Sequence, residues 1–392
     1  MKRLKAYRYR LYPTLEQEVL LAKHFGSCRW VYNYALSKKI EYYTLNKQTL
    51  SRFDIQKDLV TLKAQEDTSW LSEVNSQSLQ ASLVNLDMAY TRFFREKKGF
   101  PKFKSKRDIQ SVQFPQKTKV DFGNNRLYVM KFREGIKCIF HRSFEGNIKT
   151  TTINKTCTNK YFVSILVEEE VFDVKKQLPV YEKAIGIDLG LKSFLVTSRN
   201  EVFENPKFFK KTLRKLKRAQ RRLSRRKKGG NNYKKQKMKV ARIYEKITNQ
   251  RNDFLHKISK HMIDDPQINT YCVEDLNIQG MVRNHRLAQS IQDVSWNTFI
   301  TYLTYKAEWV GKNILTIGRF EPSSKMCNVC GKINHELTLK DRSWKCVCGK
   351  THDQDFLAAN NIRDFAFDKQ NMIGTDKPES NTLREIGGCT DR

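Results

Sequence analysis

The stretch KAIGIDLGLKSFLVTS, residues 183–198, reads as strand, tight turn, strand, with Asp188 standing where the first apolar run ends. A second short apolar run, in YCVEDLN over residues 271–277, ends in the same way at Glu274. A third acid, Asp355 in THDQDFLAANNI (351–362), opens a segment that reads as a helix. Taken singly, an acid at a strand end is as readily a turn former or a helix cap.

Taken together, in the order strand–hairpin, strand, helix, the three acids point to an RNase H-like fold. In that architecture two strand ends and a helix start bring carboxylates to one place. Hard divalent cations prefer such oxygen ligands, and a pair of them can clamp the attacking and leaving oxygens of a phosphodiester. Asp188 is expected to bridge two Mg2+ ions, with Glu274 and Asp355 each holding one; Asp275 and Asp353 are rival neighbours. The chemistry this implies is that of a nuclease.

Charge agrees with such a substrate. The 392 residues carry 74 Lys+Arg against 41 Asp+Glu, a net charge of +33. That excess implies a polyanionic partner, through neutralisation of phosphates. An anionic membrane is the competing partner, but no apolar run approaches the roughly 18 residues a span needs. The N-terminus MKRLKAYRYRLYP also lacks a signal-peptide core. A cytoplasmic, nucleoid-associated protein of two or three domains is therefore expected. Residues 207–242 hold eighteen Lys/Arg and no acid. A basic run is usually a solvated face, yet this many uncompensated charges repel one another, so an anion-lined groove is expected, with Arg221, Arg222, Arg225 and Arg226 on nucleic acid. Leu213, Leu216, Gln220 and Leu223 form a thin seam there. After the break RRKKGGNN, a second long helix turns Val240, Ile243, Ile247, Phe254, Ile258 and Met262 inward.

Toward the N-terminus, RLKAYRYRLY (3–12) has strand alternation, with Tyr7, Tyr9 and Leu11 on one face and Leu4, Ala6, Arg8 and Arg10 on the other. Thr14 and Gln17 form a capping-box pattern for a helix expected to reach His24, with Gly26 past its end. Helical periodicity recurs in WVYNYALSKKIEYY and SLQASLVNLDMAYTRFF, so a helical unit is expected before the basic, Phe-containing loop GFPKFKSKRD. Residues 110–180 are β-rich, in SVQFP, RLYVM, KCIFH, TTINKT and KYFVSILVEEEV, and suggest a small barrel or sandwich that recruits the N-terminal strand. TYCVEDL and NILTIGRF read as strands and WNTFITYLTYKAEWVG as a helix. The polar tail after residue 369 is expected to be disordered.

Of nine cysteines, four cluster: Cys327 and Cys330, then Cys346 and Cys348. Four thiolates suit a closed, tetrahedral, structural Zn2+ site, with His335 and His352 as substitute ligands. The first pair has the usual two-residue spacing and the second is one residue short.

These segments, in order, resemble the TnpB (OrfB) proteins of insertion sequences, relatives of type V CRISPR effectors. The likeness runs through KAYRYRLYPTLEQ, TSWLSEV, SLQASLVNLDMAYTRFF, GFPKFKSKR, GIDLGLKSF, LKRAQRRLSRRKKG, NQRNDFLHKIS, EDLNI, SWNTFITYLTYKAEW, FEPSSKMCNVCG and HDQDFLAANNI. It implies a multidomain α+β protein: a β-barrel wedge domain (1–12 and 110–180), a helical recognition domain (13–109) and a RuvC-like, RNase H-type nuclease domain (181–368) with an inserted zinc module (320–352). It implies cleavage of double-stranded DNA beside a short transposon-adjacent motif, directed by a guide RNA from the element's own transcript. By motif, the triad is Asp188, Glu274 and Asp355, the last because the family places its carboxylate three residues before paired alanines, here Ala358 and Ala359. Arg52, Gln77 and Gln80 become candidates for reading the motif, since Gln can pair with adenine in the major groove. Two positions depart from the family pattern: Leu357 stands where Asn is usual, and the second cysteine pair is Cys-x-Cys.

Two other function classes compete. A guided binder that has lost cleavage would act as a repressor, and Leu357 is the feature in its favour. A transposase or its accessory would call for a His-hydrophobe-His pair with a downstream catalytic Tyr, and no convincing pair is present.

Overall fold

β1 (Lys2–Tyr12) alternates as its pattern demands, burying Tyr7, Tyr9 and Leu11 while Leu4, Ala6 and Arg8 stay exposed. It pairs antiparallel with residues Tyr161–Glu170 over ten positions, from Lys2↔Glu170 to Leu11↔Tyr161. The computed structural model describes residues 2–172, 174–338 and 341–369. The expected disordered tail falls, from residue 370 onward, outside the described residues. The chain divides into two compact units, Met1–Asp173 and Val174–Arg392.

In the first unit β1 is followed by α1 (Leu15–Asn46), α2 (Arg52–Ala64) and α3 (Ser76–Glu96). Then come β2 (Gln110–Phe114), β3 (Lys119–Asp121), β4 (Arg126–Val129), β5 (Phe132–Ile139), β6 (Asn147–Lys155) and β7 (Tyr161–Glu170). The strands form one antiparallel sheet in the order β2-β6-β7-β1-β5-β4-β3, so the chain leaves the sheet after β1 for a helical insertion and returns. The capping box at Thr14 and Gln17 is present. Gly26 does not stop the helix: α1 runs on to Asn46, where Lys47 takes the left-handed cap at φ 55°. A glycine within a helix costs only about 1 kcal/mol against alanine. Around it Phe25, Cys28, Val31 and Leu36 are buried in the core, each such side chain contributing on the order of 1.5–3 kcal/mol.

The second unit contains β8 (Ala184–Leu189), β9 (Ser193–Thr197), β10 (Val202–Glu204), α4 (Phe208–Ser224), α5 (Asn231–Asp264), β11 (Thr270–Glu274), α6 (Ile278–Met281), α7 (His285–Val294), α8 (Trp296–Trp309), β12 (Asn313–Ile317), β13 (Ser343–Lys345), β14 (Thr351–Asp353) and α9 (Gln354–Lys369). Five strands make a mixed sheet, β10-β9-β8-β11-β12; β8, β11 and β12 run parallel, while β9 and β10 are antiparallel neighbours. Side chains alternate across it. Ile185, Ile187, Tyr271 and Val273 pack with Ile258, Met262, Phe299 and Leu303 of α5 and α8. Ala184 and Cys272 pack on the other face with Ile362, Ala366 and Phe367 of α9.

α4 and α5 form a helical hairpin whose seam is Leu216, Ala219 and Val240, with Phe209, Leu223 and Ile243 beside them. Gln220 is not in the seam; it is exposed and donates to the Tyr244 hydroxyl at 3.0 Å. The multidomain α+β architecture expected from the sequence is thus present. Among the described residues, no helix is long and apolar enough to cross a membrane.

Candidate active site and metal centre

The period of two along β8 puts Gly186 and Asp188 on the face covered by α9, opposite Ile185 and Ile187. The same period puts Cys272 and Glu274 of β11 on that face. Ile187 pairs with Val273 in parallel register, so Asp188 and Glu274 stand one step further on at the carboxyl ends of adjacent strands. α9 supplies the third acid from its first turn. Its N-terminus is capped by Asp353, whose Oδ1 accepts from the backbone N–H groups of Asp355 at 3.1 Å and Phe356 at 3.2 Å. Asp353 thus serves as a cap, and Asp355 is the acid of the two whose charge reaches Asp188. Asp275, the other rival, is exposed and paired with Arg319 at 2.7 Å.

Asp188 feels the charges of both other acids. Burial, then the charges of Glu274 and Asp355, push the Asp188 carboxyl up to about 8, while Arg342 and a hydrogen bond from the Leu189 backbone pull the other way. Burial also raises Glu274, and the Ser323 hydroxyl, which donates to its Oε1 at 2.5 Å, opposes this. Arg342 reaches Asp355 at 3.2 Å. It lies between the cysteine pairs and carries no motif that sequence reasoning could use. Ser323 sits inside the quoted EPSSKMCNVC run, four residues before Cys327, but only the fold shows that it faces Glu274.

A few residues along the chain, the four cysteine sulfurs lie within 4.8 Å of one another. Cys327 and Cys348 are separated by 3.8 Å and Cys330 and Cys346 by 3.5 Å. Zn–S bonds of about 2.3 Å in a tetrahedron would set sulfurs about 3.8 Å apart, so the donor set fits Zn2+. Each pair sits on a tight turn, Cys327 N–H to Lys332 O and Cys346 N–H to Lys350 O. Gly331 and Gly349 close the turns at φ 72° and 88°, a conformation side chains disfavour. The shortened second pair does not keep its sulfurs from the cluster. His352 Nε2 approaches Cys327 Sγ at 3.1 Å, a neighbour that can orient a thiolate. His335 is exposed and outside the group.

On α4 and its C-terminal cap, Arg214, Lys217, Arg218, Arg221, Arg222 and Arg225 line one hollow, at spacings of three and four that share a helix face. Arg226 is exposed but does not line it. The other three candidates belong to the first unit. Arg52 is half-buried, 3.8 Å from Asp87 and stacked over Phe53. Gln77 donates to Gln116 at 2.8 Å, and its Oε1 is buried without a hydrogen-bond partner among the described residues. Gln80, half-buried, lies one turn further along α3.

Three family models match the chain: one described as "Probable transposase" over residues 163–285, a "Helix-turn-helix domain" over 1–48, and a "Cas12f1-like, TNB domain" over 296–362. Over the second of these spans the described structure is β1 followed by one uninterrupted helix. The third spans the four cysteines, Asp355 and the loop between them. A protein of Streptomyces pristinaespiralis is 35% identical over 91% of this chain and 88% of its own length. InsQ of Escherichia coli K12 is 33% identical over 92% of both chains. Both are named RNA-guided DNA endonucleases. A cryo-EM structure of a Cas12f1–sgRNA–target DNA complex shares the fold, with a TM-score of 0.57, 13% identity and coverage of 92% of this chain and 99% of that one. The extent of these likenesses leaves one reading of its origin: the chain belongs to the TnpB (OrfB) family of insertion-sequence RNA-guided nucleases.

Proposed function

We propose that the chain is a guide-RNA-dependent endonuclease that hydrolyses double-stranded DNA beside a short transposon-adjacent motif. The observation that carries this reading is the meeting of Asp188, Glu274 and Asp355, at the ends of two parallel strands and the start of a helix, in a protein of net charge +33. Relatives named RNA-guided DNA endonucleases support the same reading. In it, the second unit is a RuvC-like nuclease domain (181–368) with a zinc module (320–352). The antiparallel sheet is a wedge β-barrel (1–12 and 110–180) and the helical insertion (13–109) a recognition domain. The protein would work in the cytoplasm, where its DNA is.

The donor set suits Mg2+: three carboxylates, all oxygen, whose mutual repulsion a divalent cation relieves. A bound pair of such ions would supply an activated water and stabilisation of the charge that develops at phosphorus. Asp188, Glu274 and Asp355 are the residues that would hold them, with Asp188 between the other two acids. Ser323 fixes the rotation of Glu274, and Arg342 offsets part of the negative charge. The four thiolates would hold a structural Zn2+, which would tie down the segment that carries Arg342. The arginine stripe of α4 tracks a phosphate backbone. Base pairing with the guide supplies sequence specificity, and Arg52, Gln77 and Gln80 are assigned to the adjacent motif.

Purification with the retained RNA, sequencing of that RNA, and challenge with matched duplex in Mg2+ or EDTA tests this. Cleavage of matched DNA alone, abolished by Asp188→Ala, is expected. Tight guided binding without cutting in any divalent ion would favour a repressor instead, a reading supported by one observation: Leu357, apolar where the family has Asn, is 3% exposed. Protein that retains no RNA would sink both.

A further inference from the structure

We propose that Asn361 is a positioning residue for the reaction, pinning the loop that holds the Ser323 hydroxyl on Glu274. The proposal rests on the reading of Asp188, Glu274 and Asp355 as a divalent-cation site. Asn361 lies on α9, fully buried. Its Nδ2 donates to two backbone carbonyls at once, Ser323 O at 2.6 Å and Met326 O at 2.7 Å. Both partners are acceptors, so the orientation of the amide is forced. Its Oδ1 is buried without a hydrogen-bond partner among the described residues. Neither helix propensity nor apolar packing selects such a side chain, because leucine or methionine would serve both better. What asparagine supplies is two N–H donors on one nitrogen, aimed at carbonyls three residues apart. Aspartate and leucine have no such donors.

The loop so held bears on Glu274 directly. Ser323, within it, donates to Glu274 Oε1 at 2.5 Å, which fixes the rotation of that carboxylate and leaves Oε2 for a cation. At the other end of the loop, Met326 precedes Cys327, the first thiol of the cysteine cluster. One buried amide on the helix that carries Asp355 thus sets the aim of Glu274 and the entry to the zinc hairpin.

The test uses the full chain with its guide and four variants: Asn361→Asp, Ser323→Ala, Ser323→Thr, and the first two combined. Divalent affinity is read by calorimetric titration with Mg2+ and by Tb3+ luminescence, alongside the Mg2+ midpoint of cleavage, zinc content and guided target binding. Loss of a residue that orients a metal ligand costs about 10–100-fold in metal affinity or activity. Asn361→Asp and Ser323→Ala should each weaken divalent affinity by that order while target binding holds. The combined variant should be little worse than either, because both act on one carboxylate, and Ser323→Thr, which keeps a hydroxyl, should recover most of the loss. Wild-type divalent affinity in both single variants would overturn the proposal, as would equal losses in Ser323→Ala and Ser323→Thr. If Asn361→Asp does not fold, Asn361→Ser takes its place beside the Ser323 pair, and wild-type divalent affinity in it overturns the proposal in the same way. A wild-type protein that binds no divalent ion would remove the metal-site reading itself, a different failure from unaltered variants of an active one.

Discussion

Gly186 of β8 and Ala359 of α9 meet backbone to backbone: a Cβ on Gly186 would stand 1.8 Å from the Ala359 carbonyl oxygen. That approach sets how near Asp188, two residues along the strand, can lie to Asp355, one turn before Ala359. The Ala359 carbonyl and the Arg363 backbone nitrogen, 3.0 Å from the same point, are both main chain and cannot move aside as a flexible side chain would. Gly186→Ala should therefore push α9 off the sheet and cost 3 kcal/mol or more, beyond the ~1–3 kcal/mol usual for overpacking. Gly99→Ala, where nothing lies within 4 Å, should stay within about 0.5 kcal/mol of wild type. Thermal unfolding of both variants checks this; equal stabilities would show that the contact is not rigid.

The Asp188 carboxyl, raised by burial and by Glu274 and Asp355 from 3.8 to about 8, makes the metal-free fold hold a proton that the unfolded chain releases. Its contribution to stability is fully present below about pH 4 and is lost as pH rises through about 8. Asp188→Asn keeps the neutral form at every pH. Its stability advantage over metal-free wild type should open between about pH 4 and 8, reach a few kcal/mol at roughly 1.4 kcal/mol for each pKa unit, level off above that, and shrink when Mg2+ is added. Unfolding curves across that range decide it, and a gap independent of pH would contradict the assignment.

The two strand-end acids were legible because a buried strand writes itself as a short apolar run, and Asp188 and Glu274 each end one. Asp355 was legible as a helix start and, through the paired alanines Ala358 and Ala359, as the preferred acid over Asp353; the cap geometry adds what Asp353 does instead, accepting from the first N–H groups of α9. Gly26 misled for a physical reason: a glycine signal for helix ends is weaker than the burial of Phe25, Cys28 and Val31 around it. Arg342, Ser323 and Asn361 stayed hidden because each acts through a contact across a loop, and no periodicity records which carbonyl or carboxylate a side chain will face.

The arginine stripe on α4 predicts salt behaviour. Each phosphate neutralised adds about 0.7–0.9 to the slope of log affinity against log salt. Replacing Arg221 and Arg225, which line the hollow, by alanine should lower the slope by about 1.4–1.8. Arg226→Ala, outside the hollow, should change it by less than half as much as either. Filter-binding across a salt series measures this, and three equal effects would dissolve the stripe into general charge.

Elemental mass spectrometry should find one zinc per chain, absent in Cys330→Ser and in Cys348→Ser. Because Cys348 comes from the shortened pair, its variant is the sharper test: retained zinc would mean that His352, 3.1 Å from Cys327, takes a ligand position.

Arg342 makes a prediction whose sign is set by electrostatics. Its guanidinium, half exposed at 50%, pairs with Asp355 at 3.2 Å and helps to hold the Asp188 carboxyl down. An exposed pair of this kind is worth about 0.2–1 kcal/mol, so Arg342→Ala should barely alter stability. It also removes a cation that competes for Asp355. Divalent affinity should therefore rise, by at most about fivefold for 1 kcal/mol, and the Asp188 carboxyl should climb further. Arg342→Lys keeps the charge and should change neither much. Tb3+ titration of the three proteins separates these outcomes: a weaker ion site in Arg342→Ala would mean that the guanidinium organises Asp355 for the cation instead of competing with it.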